Sequence, residues 1–587
     1  MSVYRILPAA RRQLRQAIGS QGYGQWVCKS CRANPPFRAG FSTSRRLFDK
    51  PYYVTTPIFY VNAAPHVGHL YTMVLTDILK RWQVLHGKQA ILCTGTDEHG
   101  MKVQRAAAQA QTPPKEFCDL TAETFKSLAK RAGLANDHFV RTTDPDHKEA
   151  VQYFWQMLKE REYIYESKHE GWYCVSDETY YPESTIEKRL DPHTGRTFMA
   201  SQETGKEVEW TSEKNYHFRL SAFKDRLLDF YQKHPDFVVP ASRMGDVVKW
   251  VSEGLQDLSI SRPVERLTWG IPVPDDESQT IYVWLDALVN YITKAGYPWA
   301  PGKESALGWP ADVQVIGKDI VRFHCIYWPA FLIALDLEPP KQILTHAHWT
   351  LNREKMAKST GNVVNPFFAI DRFGVDPMRY YLAHDGGITN DSDYGNDYIV
   401  ERYKKGLQGG LGNLVSRVTR PKLWSVRDAV KAAKSNTFDE LDEATKTQIT
   451  MLETLSEKAD AKMAELNPGA ALHIIMNAVY DTNRYLQEQE PWALAKLYNN
   501  GRKDKKIPVM INCTIFHSAE AIRIVGILLQ PYMPGKAAQL LDMLGVDESR
   551  QTFVDAKLGA DDTYGTAKSP VGKDSWDGLF PPLPVEK

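Results

Sequence analysis

"PYYVTTPIFYVNAAPHVGHLYTMVLTDILKRWQVLHG", residues 51–87, changes its period halfway along. The run "PYYVTTPIFYV" is β-branched and aromatic, as in a buried strand. After it, Val67, Tyr71, Val74, Ile78, Trp82 and Leu85 recur at three- and four-residue steps, which predicts a helix over 67–86. Gly87 stands where that helix should stop. A buried strand feeding a helix is the βα unit of a parallel sheet, so the chain is assigned to the α/β class.

The junction itself, "PHVGHL" (65–70), places His66 and His69 three apart in the first helical turn, on one side, with Gly68 between them. A helix start offers unpaired N–H groups and a positive dipole end, a setting that suits phosphate. Two imidazoles there can donate to oxygens whose charge grows in a transition state, and the glycine lets a planar base approach the main chain. Zinc is the rival ligand, but no Cys or third His lies close in sequence.

Working outward, "QAILCTGTD" is a second strand, and helical stretches run on to about 165. From 166 to 262 the rhythm fails and Tyr, Glu, Ser, Thr and Gly dominate, which predicts an inserted, mostly irregular or antiparallel subdomain. The α/β pattern resumes at "TIYVWLDALVNYI" and "VQVIGKDIVRFHCIYWPAFLIAL". Beyond about 398 the spacing is helical, with Ile399, Tyr403, Leu407, Leu411, Leu414 and Val418 on one stripe that Pro421 ends. "VGKDSWDGLFPPLPVEK" reads as a tail that either wraps or hangs loose.

Length and composition agree with a multidomain globular protein. The 587 residues call for about two to four domains, and 15 Trp with 28 Tyr argue against disorder. No uninterrupted apolar run reaches about 18 residues, so no membrane span is predicted. Seven scattered cysteines suggest reduced thiols, and the single C-x-x-C pair, Cys28 and Cys31, lacks a second pair for zinc. Residues 1–48 hold nine basic residues, eight of them Arg, and no acid, the pattern of a mitochondrial transit peptide; a basic RNA-binding arm is the alternative. The whole chain is formally +1, so the remainder is net acidic and any anionic partner must be held by local basic groups.

A second string is decisive. "KMAKS" (355–359), followed by "TGNVVNP", sets Lys355 and Lys358 three apart beside a glycine, as compact mobile cations suited to closing over a triphosphate. Together with the strand–HVGH–helix junction it resembles the paired signatures of class I aminoacyl-tRNA synthetases. Within that class, "TTPIFYVNAAPHVGH", "TGTDEHG", "SISRP", "TWGIPVP", "YVWLDAL", "VIGKDIVRFH", "KMAKSTGNVVNP", "FGVDPMRYYL", "LGNLVSR" and "PWALAK" are similar to the methionyl-tRNA synthetases, over residues 50 to at least 550, and the basic leader suggests the mitochondrial form.

The resemblance implies a Rossmann-like parallel-sheet catalytic domain in two halves (49–165 and 263–345) around a connective subdomain (166–262). A lysine-loop and stem-contact region (346–397), an all-α helical-bundle anticodon-binding domain (398–550) and a tail (551–587) would follow. It implies ATP, with Mg²⁺, L-methionine and tRNA(Met) as substrates and partners, a monomer away from membranes, and the mitochondrial matrix as location. Carried over residue by residue, His66, His69, Lys355 and Lys358 are catalytic; Gly68, Gly317 and Asp319 join them in binding ATP. Asp97 would pair with the methionine ammonium, while Ile58, Tyr60, Trp284, Leu288, Tyr291, Ile320 and His324 enclose the thioether, Tyr60 and His324 within reach of sulfur. Asn413, Arg417 and Trp492 would read the anticodon by hydrogen bonding and stacking; "RKDKK" (502–506) reads first as a surface loop, with phosphate contacts as the alternative.

Two positions depart from the family. Ala357 stands where a serine is common in the lysine loop, which should tune rather than abolish activity. Zinc-bearing relatives use paired C-x-x-C knuckles in the connective subdomain, but here Cys174 faces Asp177, and His193 does not complete a set, so no structural zinc is expected. Rival readings fit less well. Another HxGH nucleotidyltransferase needs no large helical domain, a synthetase for Ile, Val or Leu would carry a larger editing insertion, and a catalytically dead RNA-binding protein would not keep both signatures charged.

Overall fold

The computed structural model describes residues 50–175, 179–191, 194–300, 302–356, 362–435, 438, 441–501, 504–567 and 578–583. The basic leader with Cys28 and Cys31, Asp177, His193, Ala357, Lys358 and the start of "RKDKK" lie outside them.

The opening stretch folds as β1 (Tyr52–Tyr60) and α1 (Val67–Leu85), then β2 (Ala90–Asp97), β3 (His138–Arg141) and α2 (Pro145–Glu160). β4 (Ile164–Cys174) pairs along its length with the antiparallel β5 (Glu209–Phe218), and the two-residue β6 (Val238–Val239) follows. The second α/β run supplies α3 (Val283–Thr293), β7 (Val313–Gly317), β8 (Gln342–His346), β9 (Trp349–Leu351) and β10 (Glu354–Lys355). Helices then dominate, among them α4 (Val375–Asp385), α5 (Asn413–Thr419), α6 (Pro468–Gln489), α7 (Pro491–Asn499) and α8 (Lys506–Leu529).

The main sheet has the order β3-β2-β1-β7-β8-β6, and all its pairings are parallel. Chain order runs outward from β1 through β2 to β3 one way and from β7 to β8 the other, with the earlier β6 added at the far edge. Where neighbouring strands diverge like this, their carboxyl ends open a crevice that α/β proteins use for ligands. β1 leads into His66 and β7 leads into Asp319, so sheet topology alone brings two distant motifs to one crevice.

Two elements differ from the sequence reading. Residues 166–262 carry the antiparallel β4–β5 ladder but also two helices, Lys224–Lys233 and Ala241–Glu253, whose Leu227, Tyr231, Met244, Val247 and Val251 are buried at helical spacing. Between them β6 leaves the insertion and becomes an edge strand of the main sheet. The helix expected over 398–420 is interrupted: α-helix covers Asn396–Arg402, a π-helical stretch covers Tyr403–Gly412, and α5 completes it. Its four glycines weaken the regular i→i−4 ladder there. Of the two readings of the tail, the wrapping one holds for its described end: Leu579 and Phe580 are buried, Tyr403 Oη donates to Pro581 O at 2.6 Å and Lys536 Nζ to Leu579 O at 2.7 Å.

α1 is more enclosed than its stripe suggested. Even Asp77 and Lys80 are buried, because the sheet covers one side and the helical region the other. Arg379 of α4 spans the two: it donates to Asp77 at 2.6 Å and to the carbonyls of Ala132, Pro531 and Tyr532. α8 is long and apolar enough to cross a membrane, but 94% of that apolar stretch is buried inside the molecule, where it serves as the core helix of the helical region.

Candidate nucleotide and amino-acid site

His66 is the N-cap of α1, in extended backbone conformation, and its Nδ1 accepts from the Gly68 N–H at 3.1 Å. The backbone N–H of His66 in turn donates to His69 Nδ1 at 3.0 Å. The two rings thus form a capping box of imidazoles, stacked with centroids 3.8 Å apart. Since both Nδ1 atoms accept, the neutral rings carry their protons on Nε2, the donors a phosphate needs. No acidic residue occupies the first turn. Gly68 has a reason the sequence reading lacked: a Cβ there would lie 2.9 Å from His66 Cε1, so only glycine lets the ring fold back on the cap.

The lysine segment is tied to this helix. Val67 N donates to Val364 O at 3.1 Å, just beyond the "KMAKS" string. On its other side, Lys355 lies in β10, paired through Thr350 to β9, whose Trp349 ring meets Tyr71 of α1 at 5.8 Å. The chain therefore leaves the lysine segment beside the histidines, and Lys358 lies outside the described residues. Across the crevice Asp319 follows β7 and is half exposed, with Oδ1 3.2 Å from His348 Nε2. A Cβ on Gly317 would come within 2.8 Å of that carboxylate.

The expected amino-acid pocket also gathers at the strand ends. Register sets Tyr60 opposite Asp97 and Ile58 opposite Gly95. Asp97 is 2% exposed. Trp284 and Tyr60 meet edge to face at 6.4 Å, and Trp284 stacks on Phe323 with centroids 3.4 Å apart; Ile320 packs against the same aromatic cluster. Leu288 and Tyr291, from later turns of α3, are buried in the adjoining core. Phe323 was not anticipated; its only signal was an aromatic residue beside His324.

His324, expected beside the sulfur, is held by two hydrogen bonds. Its Nδ1 donates to Ile320 O at 2.9 Å, leaving Nε2 to accept the Tyr291 hydroxyl at 2.6 Å. Burial pushes its pKa down to about 4, so it is neutral at physiological pH. The bond fixes the Tyr291 hydroxyl against the imidazole.

The two residues that follow Asp97 are both clamped. Glu98 takes a bidentate pair from Arg141, at 2.6 and 2.9 Å, and a hydroxyl from Thr143. His99 Nδ1 meets Asp286 of α3 at 2.7 Å. Composition gives no hint of either contact, since they join residues far apart in the chain.

The expected anticodon set lies in the helical region. Arg417 of α5 lies over the Trp492 ring of α7 at 4.8 Å and donates to Gln487 at 3.1 Å, while Asn413 is exposed one turn earlier. Cys174, at the end of β4, is buried and pairs across to Thr179.

Comparison with known proteins follows the same lines. The sequence model of the family described as "tRNA synthetases class I (M)" matches residues 52–419. The chain is 55% identical to a probable mitochondrial methionine–tRNA ligase of Neurospora crassa, covering 99% of this chain and 95% of that one. It is 41% identical to the human mitochondrial methionine–tRNA ligase, over 85% of each. Among solved structures, Mycobacterium tuberculosis methionyl-tRNA synthetase in complex with methionyl-adenylate superposes with a TM-score of 0.80 at 36% identity, covering 91% of this chain and all of that one. The switch-point crevice, its imidazole cap and these likenesses agree: the chain belongs to the methionyl-tRNA synthetases of class I.

Proposed function

We propose that the crevice between β1 and β7 binds ATP and methionine side by side, and that the chain ligates methionine to tRNA(Met) through methionyl-adenylate in the mitochondrial matrix. The methionine carboxylate attacks the α-phosphorus, the bond to pyrophosphate breaks, and a hydroxyl of the tRNA's terminal ribose then takes the acyl group and releases AMP. Chemistry of this kind depends on alignment and charge stabilisation more than on covalent catalysis. His66 and His69 donate through Nε2 to the phosphates, Lys355 and Lys358 neutralise the departing pyrophosphate, and Asp319 holds the ribose. Asp97 receives the ammonium, while Ile58, Tyr60, Trp284, Leu288, Tyr291, Ile320 and His324 surround the thioether, where sulfur–ring contacts are worth about 0.3–1.5 kcal/mol each.

Imidazole and ammonium donors suit phosphate oxygens, and the first turn of α1 holds no carboxylate. Mg²⁺ therefore enters as the counterion of ATP. The burial of α8 supports a protein that keeps clear of the bilayer, and the mitochondrial fungal and human ligases among its relatives support the location.

The observation that carries the site reading is the Val67–Val364 hydrogen bond, which joins the two signatures at the helix start. ATP–pyrophosphate exchange tests it: exchange driven by methionine is expected, and exchange driven by leucine instead would overturn the substrate assignment.

A further inference from the structure

Asp286 is wholly buried on α3 and is the meeting point of two imidazoles. Its Oδ2 receives His99 Nδ1 at 2.7 Å and its Oδ1 receives His147 Nε2 at 2.7 Å; His147 extends through Nδ1 to Thr293 Oγ1 at 3.0 Å. All three members of the triad are at most 2% exposed. Burial pushes the Asp286 carboxyl up, but the two histidines outweigh it and hold the group below the ordinary carboxylate range.

A buried carboxylate with two imidazoles costs more to desolvate than an apolar contact of the same size. Its return lies in position. Asp286 sits two residues after Trp284 and two before Leu288, on the helix that also carries Tyr291. His99 sits two residues after Asp97, on a loop also fixed by the Glu98–Arg141 pair. His147 belongs to α2, which packs against α3. The triad therefore joins the strand end proposed to hold the ammonium to the helix proposed to wall the side chain, and braces both against α2.

We propose that the His99–Asp286–His147 triad is a positioning device that sets the separation between the ammonium-holding and thioether-holding halves of the methionine pocket. The inference rests on the pocket reading above. None of the three residues touches the nucleotide end, so their effect should fall on methionine and spare ATP.

Exchange kinetics on the full chain provide the test. Asp286→Asn replaces one acceptor oxygen with an amide that faces an imidazole N–H, and His99→Val removes a donor. Both should raise the methionine KM at least tenfold with the ATP KM within twofold. His99→Asn retains a donor near the Nδ1 position and should recover most of the loss, a difference from His99→Val that space-filling alone would not produce. Thr293→Val, which removes only the outermost link, should give a smaller rise, about threefold, and reads the same coupling should Asp286→Asn fail to fold. Equal KM values for His99→Val and His99→Asn, or a matching rise in the ATP KM, would overturn the proposal. Trp284→Ala separates the two readings: if it leaves the methionine KM unmoved the pocket assignment itself fails, and if it raises KM while the triad variants do not, only the positioning role fails.

Discussion

His66 does two jobs with two nitrogens, and they can be separated. Nδ1 caps α1 while Nε2 is the donor proposed for phosphate. Asparagine is among the best N-cap residues, so His66→Asn should hold stability within about 0.5 kcal/mol of the parent in urea unfolding. Methionine-dependent exchange should nonetheless fall about 10²–10³-fold, the usual consequence of losing one preorganised donor to a charged transition state. A stability loss large enough to account for the rate would leave His66 as a cap alone. The buried histidines give a second prediction at this scale. His324 and His346 both have pKa values pushed by burial from 6.5 to about 4. Between those pH values the unfolded chain binds more protons than the folded one, so stability is full above about 6.5 and declines as pH falls toward 4, by on the order of 3 kcal/mol for each group. His324→Gln should shallow that slope in urea titrations across the window; an unchanged slope would deny His324 its share. Most residue identities in the site were legible from the motifs, but their hydrogen-bond roles were not. Which nitrogen of His66 accepts, and that His324 accepts from Tyr291, depend on partners that only the folded backbone supplies.

At the scale of elements, the Arg379 bridge couples α1 and α4 to the turn at Pro531–Tyr532. Arg379→Met would strand Asp77 with only Arg81 and the Ala135 N–H, besides leaving three carbonyls without their donor. The expected cost is about 3–5 kcal/mol in chemical denaturation, partly recovered by adding Asp77→Asn, which removes the buried charge. A cost under 1 kcal/mol would mean that packing, not the bridge, joins these elements. Periodicity identified α1 and β1–β2 because a strand and a helix bury different repeats. It failed at β6, where two residues are too few to show a period, and at Tyr403–Gly412, where the apolar stripe persists while the backbone bonding changes. A stripe reports which side faces the core, and says little about how each turn is hydrogen-bonded.

Across the whole molecule, the Arg417–Trp492 pair lies on α5 and α7, in the helical region, while the crevice opens from the sheet. If Trp492 stacks on an anticodon base, Trp492→Ala should raise the tRNA KM in aminoacylation by about 10–100-fold, equivalent to about 1–3 kcal/mol of stacking. Pyrophosphate exchange without tRNA should stay within twofold of the parent. Equal losses in both assays would show damage to the fold instead of a lost contact. The α/β class and the helical region were readable from sequence because each depends on local repeats. The triad centred on Asp286 was not, since it joins three segments that are individually unremarkable.

The Val67–Val364 bond also limits how far the lysine loop can stray. With Lys355 pinned in β10 and Val364 fastened to the start of α1, Lys358 hangs on a leash of six residues, at most about 20 Å when fully drawn out. A cation confined to so small a volume is present at an effective concentration of millimolar or more, whatever shape the loop takes. If Lys358 serves pyrophosphate as proposed, that product can leave and fresh ATP arrive without the ammonium being diluted into bulk solvent.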